Sequence, residues 1–255
     1  MKGKNMRVAI LGGGAMGKVL SQMTEEKEGF ELAGVIEPLN GETPEALEEA
    51  ARKAGKADDD GRAIDVMIDF SHPANLDMLC RYCEARGCAA VIATTGLEER
   101  HMEKIKELAT KVPVVFSANY SLGVNVMKRI IAEITPILEE SFDIEIVEMH
   151  HNRKLDAPSG TAKMLLAAAD GDGRYDHVYG REGMRKRGHE IGIHTLRGGT
   201  VAGEHAVIYA GEDEIIEIKH SAGSKRIFAA GALKAAAFAA DADVGFYTME
   251  EILFG

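Results

Sequence analysis

The chain is short of cysteine, of net positive charge and of long apolar runs, and each shortage excludes a class of protein. Its three cysteines, Cys80, Cys83 and Cys88, are an odd number gathered in one segment, which does not suit a disulfide framework and fits a reducing cytoplasm. Cys80 and Cys83 form a C-x-x-C with no second pair and no nearby histidine, so they read as core thiols rather than metal ligands. Lysine and arginine number 30 against 41 acidic residues, a net charge of −11, which argues against general affinity for nucleic acid or an anionic membrane. No stretch approaches the roughly 18 uncharged residues of a membrane span. The longest candidate, residues 229–240, is interrupted by Lys234. A soluble protein with neither nucleic-acid nor membrane partners is expected. Lys2, Lys4 and Arg7 ahead of Val8-Ala9-Ile10-Leu11 mimic the start of a signal peptide, but the apolar run stops at Gly12, so the segment reads as a first strand. There is no internal repeat and no low-complexity linker.

What is present is enough for one to two domains: 255 residues, 45% of them apolar and 28% charged. Short β-rich runs at residues 7–11, 31–36, 64–69, 89–93 and 112–116 alternate with segments whose apolar residues recur at three and four, such as Val19, Leu20 and Met23. Near-continuous apolar strands joined by crossover helices predict a doubly wound parallel sheet. The pattern changes after about Asn119. A helix over 124–138 leads into a strand over 142–149 that alternates through Ile144, Ile146 and Glu148, and a short helix starts at Ser159. Runs at 189–196, 204–210 and 214–221 read as strands without intervening helices, hence an open sheet with antiparallel pairs. The Ala-rich stretch 227–240 is a helix by propensity that returns to the first domain. The fold class expected is α/β: an N-terminal Rossmann sheet over 1–121 plus 228–255, and a C-terminal α+β domain with an open mixed sheet over 122–227.

Two segments carry chemistry. Gly12-Gly13-Gly14-Ala15-Met16-Gly17 matches G-x-G-x-x-G between a strand and a helix, and Glu37 closes the second strand. Gly12 allows the tight turn, Gly14 lets the backbone approach a pyrophosphate, and Gly17 permits close helix packing, while Glu37 can accept hydrogen bonds from ribose hydroxyls. An acid there repels a 2′-phosphate, and Pro38 stands where a basic neighbour would help NADP, so the reading leans to NADH over NADPH; Lys18 softens that preference. Other strand ends offer small and hydroxyl residues to a nicotinamide: Ala93, Thr94 and Thr95, then Ser117, Ala118, Asn119 and Tyr120. His72 reads as a cap of the next helix rather than a ligand.

The second segment runs from Glu148 through His150-His151-Asn152-Arg153-Lys154 to Asp156-Ala157-Pro158-Ser159-Gly160-Thr161-Ala162. Four cationic or titratable side chains precede a turn that opens a helix. Ser159 and Thr161 offer hydroxyls, Gly160 close backbone approach, and the helix its unsatisfied N–H groups, which together suit a compact carboxylated or phosphorylated substrate. Adjacent histidines on extended backbone point to opposite sides, so no shared metal is expected. Arg181, Arg185, Lys186 and Arg187 form a rival basic patch, read as a mobile surface loop.

This string resembles the signature of the 4-hydroxy-tetrahydrodipicolinate (dihydrodipicolinate) reductases of bacterial lysine and diaminopimelate synthesis, and the likeness extends to Ser117-Ala118-Asn119-Tyr120-Ser121-Leu122-Gly123, to Arg197-Gly198-Gly199 and to Gly203-Glu204-His205. The resemblance implies that His150 donates or accepts a proton and that Lys154 donates one. It implies that His151, Gly160 and Thr161 bind substrate, the last two at one carboxylate. It assigns the cofactor to the glycine turn, to Glu37, to Ala93, Thr94 and Thr95, and to Ser117, Ala118, Asn119 and Tyr120. It also implies a cytoplasmic homotetramer built through the C-terminal sheets. Two departures stand out. The family often has G-x-x-G-x-x-G, one residue longer than the turn here, and often an arginine beside the ribose acid, where this chain has Pro38. Two other readings compete: a different NAD-dependent dehydrogenase acting on an aspartate-derived imine or aldehyde, and a non-catalytic NAD-binding sensor.

Overall fold

The computed structural model describes residues 5–255, so Lys2 and Lys4 of the basic start lie outside the described residues. The chain first runs β1 (Met6–Leu11), α1 (Ala15–Glu26), β2 (Phe30–Ile36), α2 (Pro44–Lys53), β3 (Val66–Asp69), α3 (Leu76–Arg86), β4 (Ala89–Ile92), α4 (Glu99–Leu108) and β5 (Pro113–Phe116). There follow α5 (Leu122–Leu138), β6 (Asp143–His150), α6 (Gly160–Ala169), β7 (Asp176–Tyr179), β8 (Glu190–Arg197), β9 (Glu204–Ala210) and β10 (Ile215–Ser221). It closes with α7 (Arg226–Asp241), β11 (Gly245–Tyr247) and α8 (Met249–Phe254). Two compact units result: the chain up to Tyr120 together with Arg226–Gly255, and Ser121–Lys225. Among the described residues no helix is long and apolar enough to cross a membrane.

The first unit is a parallel sheet in the order β11-β5-β4-β3-β1-β2. Its central strands are apolar on both faces because helices cover both: Val8, Ile10, Val66, Ile68 and Val91 pack on α7, while Ala9, Leu11, Met67, Ala90 and Ile92 pack beside α3 and α4. The alanines of α7 are what allow that helix to lie so close; Gly231 sits against the Tyr120 carbonyl with no room for a side chain. The parallel strands end together, with Leu11 beside Asp69 and Asp69 beside Ile92. Every βα turn at that edge therefore converges on one region.

The second unit is a sheet in the order β10-β9-β6-β8-β7. β6 pairs β8 in parallel and β9 antiparallel, so the sheet is mixed, as expected. The crossover that makes β6 and β8 parallel passes through α6. Period-two alternation in β6 turns Ile144, Ile146, Glu148 and His150 to the buried face. There α5 and α6 close a core of Met127, Ile131, Leu165, Ile191, Ile193 and Val207, and Tyr209 Oη meets Thr135 Oγ1 at 2.6 Å. On the opposite face, register aligns Val147 and Met149 with His194 and Leu196, and Ile208 with Glu145.

Candidate active site

At the end of β1 the backbone turns at Gly12, with φ +106, and its N–H donates to the Ile36 carbonyl at 2.8 Å. A side chain at Gly12 would meet the Phe70 carbonyl oxygen at 2.9 Å. One at Gly17 would run into the Gly12 carbonyl, and this contact is what seats α1 on the turn. Gly14, the N-cap residue of α1, has open space over its Cα, with nothing within 4 Å of a built Cβ. The turn thus presents the first N–H groups of α1 on an unobstructed surface, the arrangement that receives a pyrophosphate.

Glu37 is held at this turn: its carboxylate accepts from Gly13 N at 2.8 Å and from Leu39 N at 3.4 Å, and Pro38 starts a short 3₁₀ turn. A cavity of about 260 Å³ opens at the same strand ends. Of the expected cofactor residues it is lined by Met16, Ala93, Thr94, Thr95, Ala118, Asn119 and Tyr120; Phe70 and Ser71 from the end of β3, one of the strand ends that face such a ligand, join them, with Phe228 of α7. Ser117 shapes the loop from behind, donating to the Asn119 carbonyl at 2.8 Å. The Tyr120 hydroxyl is buried between the carbonyls of Ile92 (2.9 Å) and Val115 (3.1 Å), and burial pushes its ionisation far up, so the phenol is a structural strut and only its ring wall faces the cavity. Beneath lies Asp69, fully buried, whose Oδ1 accepts from Ser71 N (2.9 Å) and Oγ (2.6 Å); burial raises its carboxyl. His72 caps the next turn through Nδ1, which accepts from Ala74 N at 3.1 Å.

In the second unit three strands deliver one network. His150, the last residue of β6, lies opposite Arg197 of β8, and Glu148 lies opposite His205 of β9. The Glu148 carboxylate, with no exposed surface, accepts from both arms of the Arg197 fork (2.8 and 2.9 Å) and from Ser159 N (3.0 Å), and it meets His150 Nδ1 at 2.5 Å. Burial alone would raise this carboxyl; Arg197, His150 and the Ser159 N–H outweigh it and hold it below the usual range. His205 packs edge-on against the His150 ring at 5.1 Å, and its Nε2 meets Ser159 Oγ at 3.0 Å. Burial, reinforced by His150, lowers His205 to about 4, so it is neutral at ordinary pH.

Ser159 differs from the expectation of a direct anion donor: its N–H serves Glu148, and its hydroxyl accepts from Ala162 N at 3.1 Å as the cap of α6. Gly160 and Thr161 follow it at the helix start, with nothing within 4 Å of a Cβ built on Gly160, so that end of α6 is open to an anion. His151 is anchored through its N–H to the Val201 carbonyl (2.8 Å), its Nδ1 has no partner, and burial with the nearby Arg153 charge lowers it. Lys154 pairs with Asp156 at 2.8 Å.

Glu148, His150 and His205 offer ligand atoms within 4.8 Å of one another. The Arg197 fork already balances the carboxylate there, which makes the trio a hydrogen-bond network rather than a cation's ligand set. Arg181, Arg185 and Arg187, expected on a mobile loop, are tied down: Arg181 and Arg185 pair with buried Glu190, and Arg187 with Glu145 and Asp143. Glu148, Arg197 and His205 are the site residues that residue types alone did not single out. The signals available were a carboxylate falling in the apolar phase of β6 and, for Arg197 and His205, the family resemblance of the segments that hold them.

Two family models cover nearly all of the chain: "Dihydrodipicolinate reductase, N-terminus" over residues 6–120 and "Dihydrodipicolinate reductase, C-terminus" over residues 123–253. The 4-hydroxy-tetrahydrodipicolinate reductase of Clostridium novyi is 41% identical over 97% of this chain and 98% of its own. That of Rubrobacter xylanophilus is 44% identical over 97% and 98%. Among solved structures, dipicolinate-bound dihydrodipicolinate reductase from Paenisporosarcina sp. TG-14 superposes with a TM-score of 0.75 at 22% identity, over 96% of this chain and 97% of that one, a likeness of fold. With both halves matched and relatives this close along their full length, the chain belongs to the dihydrodipicolinate reductase family, NAD(P)H-dependent oxidoreductases of lysine and diaminopimelate biosynthesis.

Proposed function

We propose that the chain reduces 4-hydroxy-tetrahydrodipicolinate to tetrahydrodipicolinate with loss of water, the first unit binding the dinucleotide and the second the dicarboxylate. The observation that carries this reading is the placement, within one unit, of the His150–Lys154 stretch beside the open start of α6. Bound NAD(P)H supplies the hydride. The open turn at Gly14 and the fixed Glu37 carboxylate fit such a group, and Glu37 with Pro38 favours NADH, because a 2′-phosphate would face a carboxylate.

Loss of water from the 4-hydroxy ring leaves a conjugated C=C–C=N system. Hydride adds to its far carbon, the electron pair moves toward nitrogen as an enamine, and a proton on the adjacent carbon restores the C=N bond. His150 and Lys154 are the groups we assign to that proton exchange, each worth about 10²- to 10⁴-fold. Gly160 and Thr161 hold one substrate carboxylate and His151 contacts the substrate, with Ser159 fixing the cradle from inside. The solved relative's bound dipicolinate is a dicarboxylate of this kind. The face of the second sheet bearing Val147, Met149, Leu196 and Ile208 is where we place homotetramer assembly, and the free thiols suit a cytoplasmic protein.

The test is oxidation of NADH and of NADPH in the presence of enzymatically generated 4-hydroxy-tetrahydrodipicolinate. Turnover with NADH the better donor is expected. Stoichiometric NADH binding without turnover would favour a sensor, and turnover only with an aspartate-derived imine or aldehyde would reassign the second unit.

A further inference from the structure

A carboxylate with no exposed surface and four hydrogen-bond partners has its protonation and direction set by those partners. Three of them around Glu148 are unambiguous donors, the two Arg197 nitrogens and Ser159 N, so the carboxylate is ionised and acts only as an acceptor. The fourth contact, 2.5 Å from His150 Nδ1 to Oε2, then requires the ring proton on Nδ1. That leaves Nε2 as the nitrogen that gains and loses a proton. It points toward Gly203, where a side chain would come within 3.0 Å of it. The His205 ring packs edge-on against the imidazole, at 5.1 Å between centroids.

We infer that Glu148 and Arg197 are positioning residues for the proton-exchanging histidine: Arg197 keeps Glu148 ionised and aimed, and Glu148 holds the Nδ1 proton so that His150 Nε2 faces the substrate. This rests on the reading that His150 exchanges protons with substrate. The same carboxylate takes the Ser159 N–H, so the histidine and the carboxylate cradle at the start of α6 are locked to one group. The charged and titratable groups around His150 are Glu148 on its own strand, Arg197 from β8, His205 from β9 with His220 of β10 beyond it, and His151, Arg153 and Lys154 with its partner Asp156 from the following loop.

The experiment compares Glu148→Gln, Arg197→Met, Arg197→Lys and His150→Gln in the full chain. It measures kcat and KM across pH and reads the imidazole tautomer by nitrogen-15 NMR of histidine-labelled protein. Glu148→Gln removes the charge behind the imidazolium and should cut kcat by about 10- to 100-fold, as loss of an outer-shell partner does at other sites. It should also move the alkaline limb of the kcat profile down by about one pH unit and turn the single Nδ1–H tautomer into a mixture. Arg197→Met leaves the carboxylate uncompensated and should move that limb the opposite way. Arg197→Lys, which keeps charge without the fork, covers the case in which the methionine variant does not fold. Limbs that stay put, or that move together in both variants with the tautomer unchanged, overturn the positioning role while an inactive His150→Gln leaves the reaction assignment standing. Wild-type turnover by His150→Gln removes that assignment itself.

Discussion

A methyl group added at Gly17 and one added at Gly14 separate what the glycine turn does for the fold from what it does for the ligand. At Gly17 the new Cβ would collide with the Gly12 carbonyl oxygen and lie 3.0 Å from its carbon and 3.7 Å from Ile10 Cγ2. The obstacle is backbone, at a residue already at φ +106, so relief requires α1 to lift from β1. Overpacking of this kind costs about 1–3 kcal/mol. For a chain of this size that corresponds to a fall in Tm of roughly 2–12 °C. At Gly14 the backbone is already at φ −68 and nothing lies within 4 Å of the added carbon. Gly14→Ala should therefore leave Tm within the range of a neutral surface change, about 0.5 kcal/mol. If a pyrophosphate approaches that backbone, the same methyl should weaken NADH binding by about tenfold or more, equivalent to ~1.4 kcal/mol. Thermal melts of both variants and NADH titration by calorimetry provide the readouts. NADH binding by Gly14→Ala as tight as wild type would refute the placement of the pyrophosphate, and an unchanged Tm in Gly17→Ala would refute the packing argument.

Lys154→Ala should lower kcat by about 10²-fold or more while NADH affinity, measured by titration without substrate, stays within error. His205, neutral in the fold with its ionisation lowered to about 4, makes the protein less stable in acid: the unfolded chain binds the proton first, so stability present above about pH 6.5 is lost as pH falls toward 4, by at most about 3 kcal/mol. His205→Gln should show a smaller drop in Tm between about pH 7.5 and about pH 5 than wild type, and an equal drop would place the acid sensitivity elsewhere. Ile208→Glu puts a charge on the face assigned to assembly and should shift the native mass toward dimer or monomer in light scattering, with Tm falling as the partners separate.

The first five strands of the first sheet were legible because each announces itself locally. Val8-Ala9-Ile10-Leu11 is apolar on both faces, ends at a glycine turn and is followed by helical spacing, and the strand order then needs only right-handed crossovers. β7 and β11 were not legible. Asp176-His-Val-Tyr and Gly245-Phe-Tyr are too short to carry a period, and they become strands only because β8 and β5 offer an open edge. The site follows the same division. His150, Lys154 and the start of α6 sit in one continuous string, whereas Arg197 and His205 reach Glu148 through the registers of β8 and β9, 49 and 57 residues further on, which no local pattern encodes.

The two ion pairs at the site differ in a way that assigns them different work. Glu148–Arg197 joins a carboxylate with no exposure to a guanidinium 19% exposed, and removing either partner from such a pair costs about 3–5 kcal/mol, so the pair resists separation. Lys154–Asp156 joins an ammonium 21% exposed to a carboxylate 56% exposed. Water competes for that aspartate, and pairs of this kind are worth about 0–1 kcal/mol. Releasing Lys154 from Asp156 for the proton transfer proposed for it therefore costs little, while parting Arg197 from Glu148 does not. In a protein of net charge −11, attraction for a dianionic substrate depends on cations that are released rather than locked. Arg181, Arg185 and Arg187 are committed to Glu145, Glu190 and Asp143, whereas the loop between β6 and α6 carries exposed Arg153 and the weakly held Lys154, so the exchangeable charge lies there.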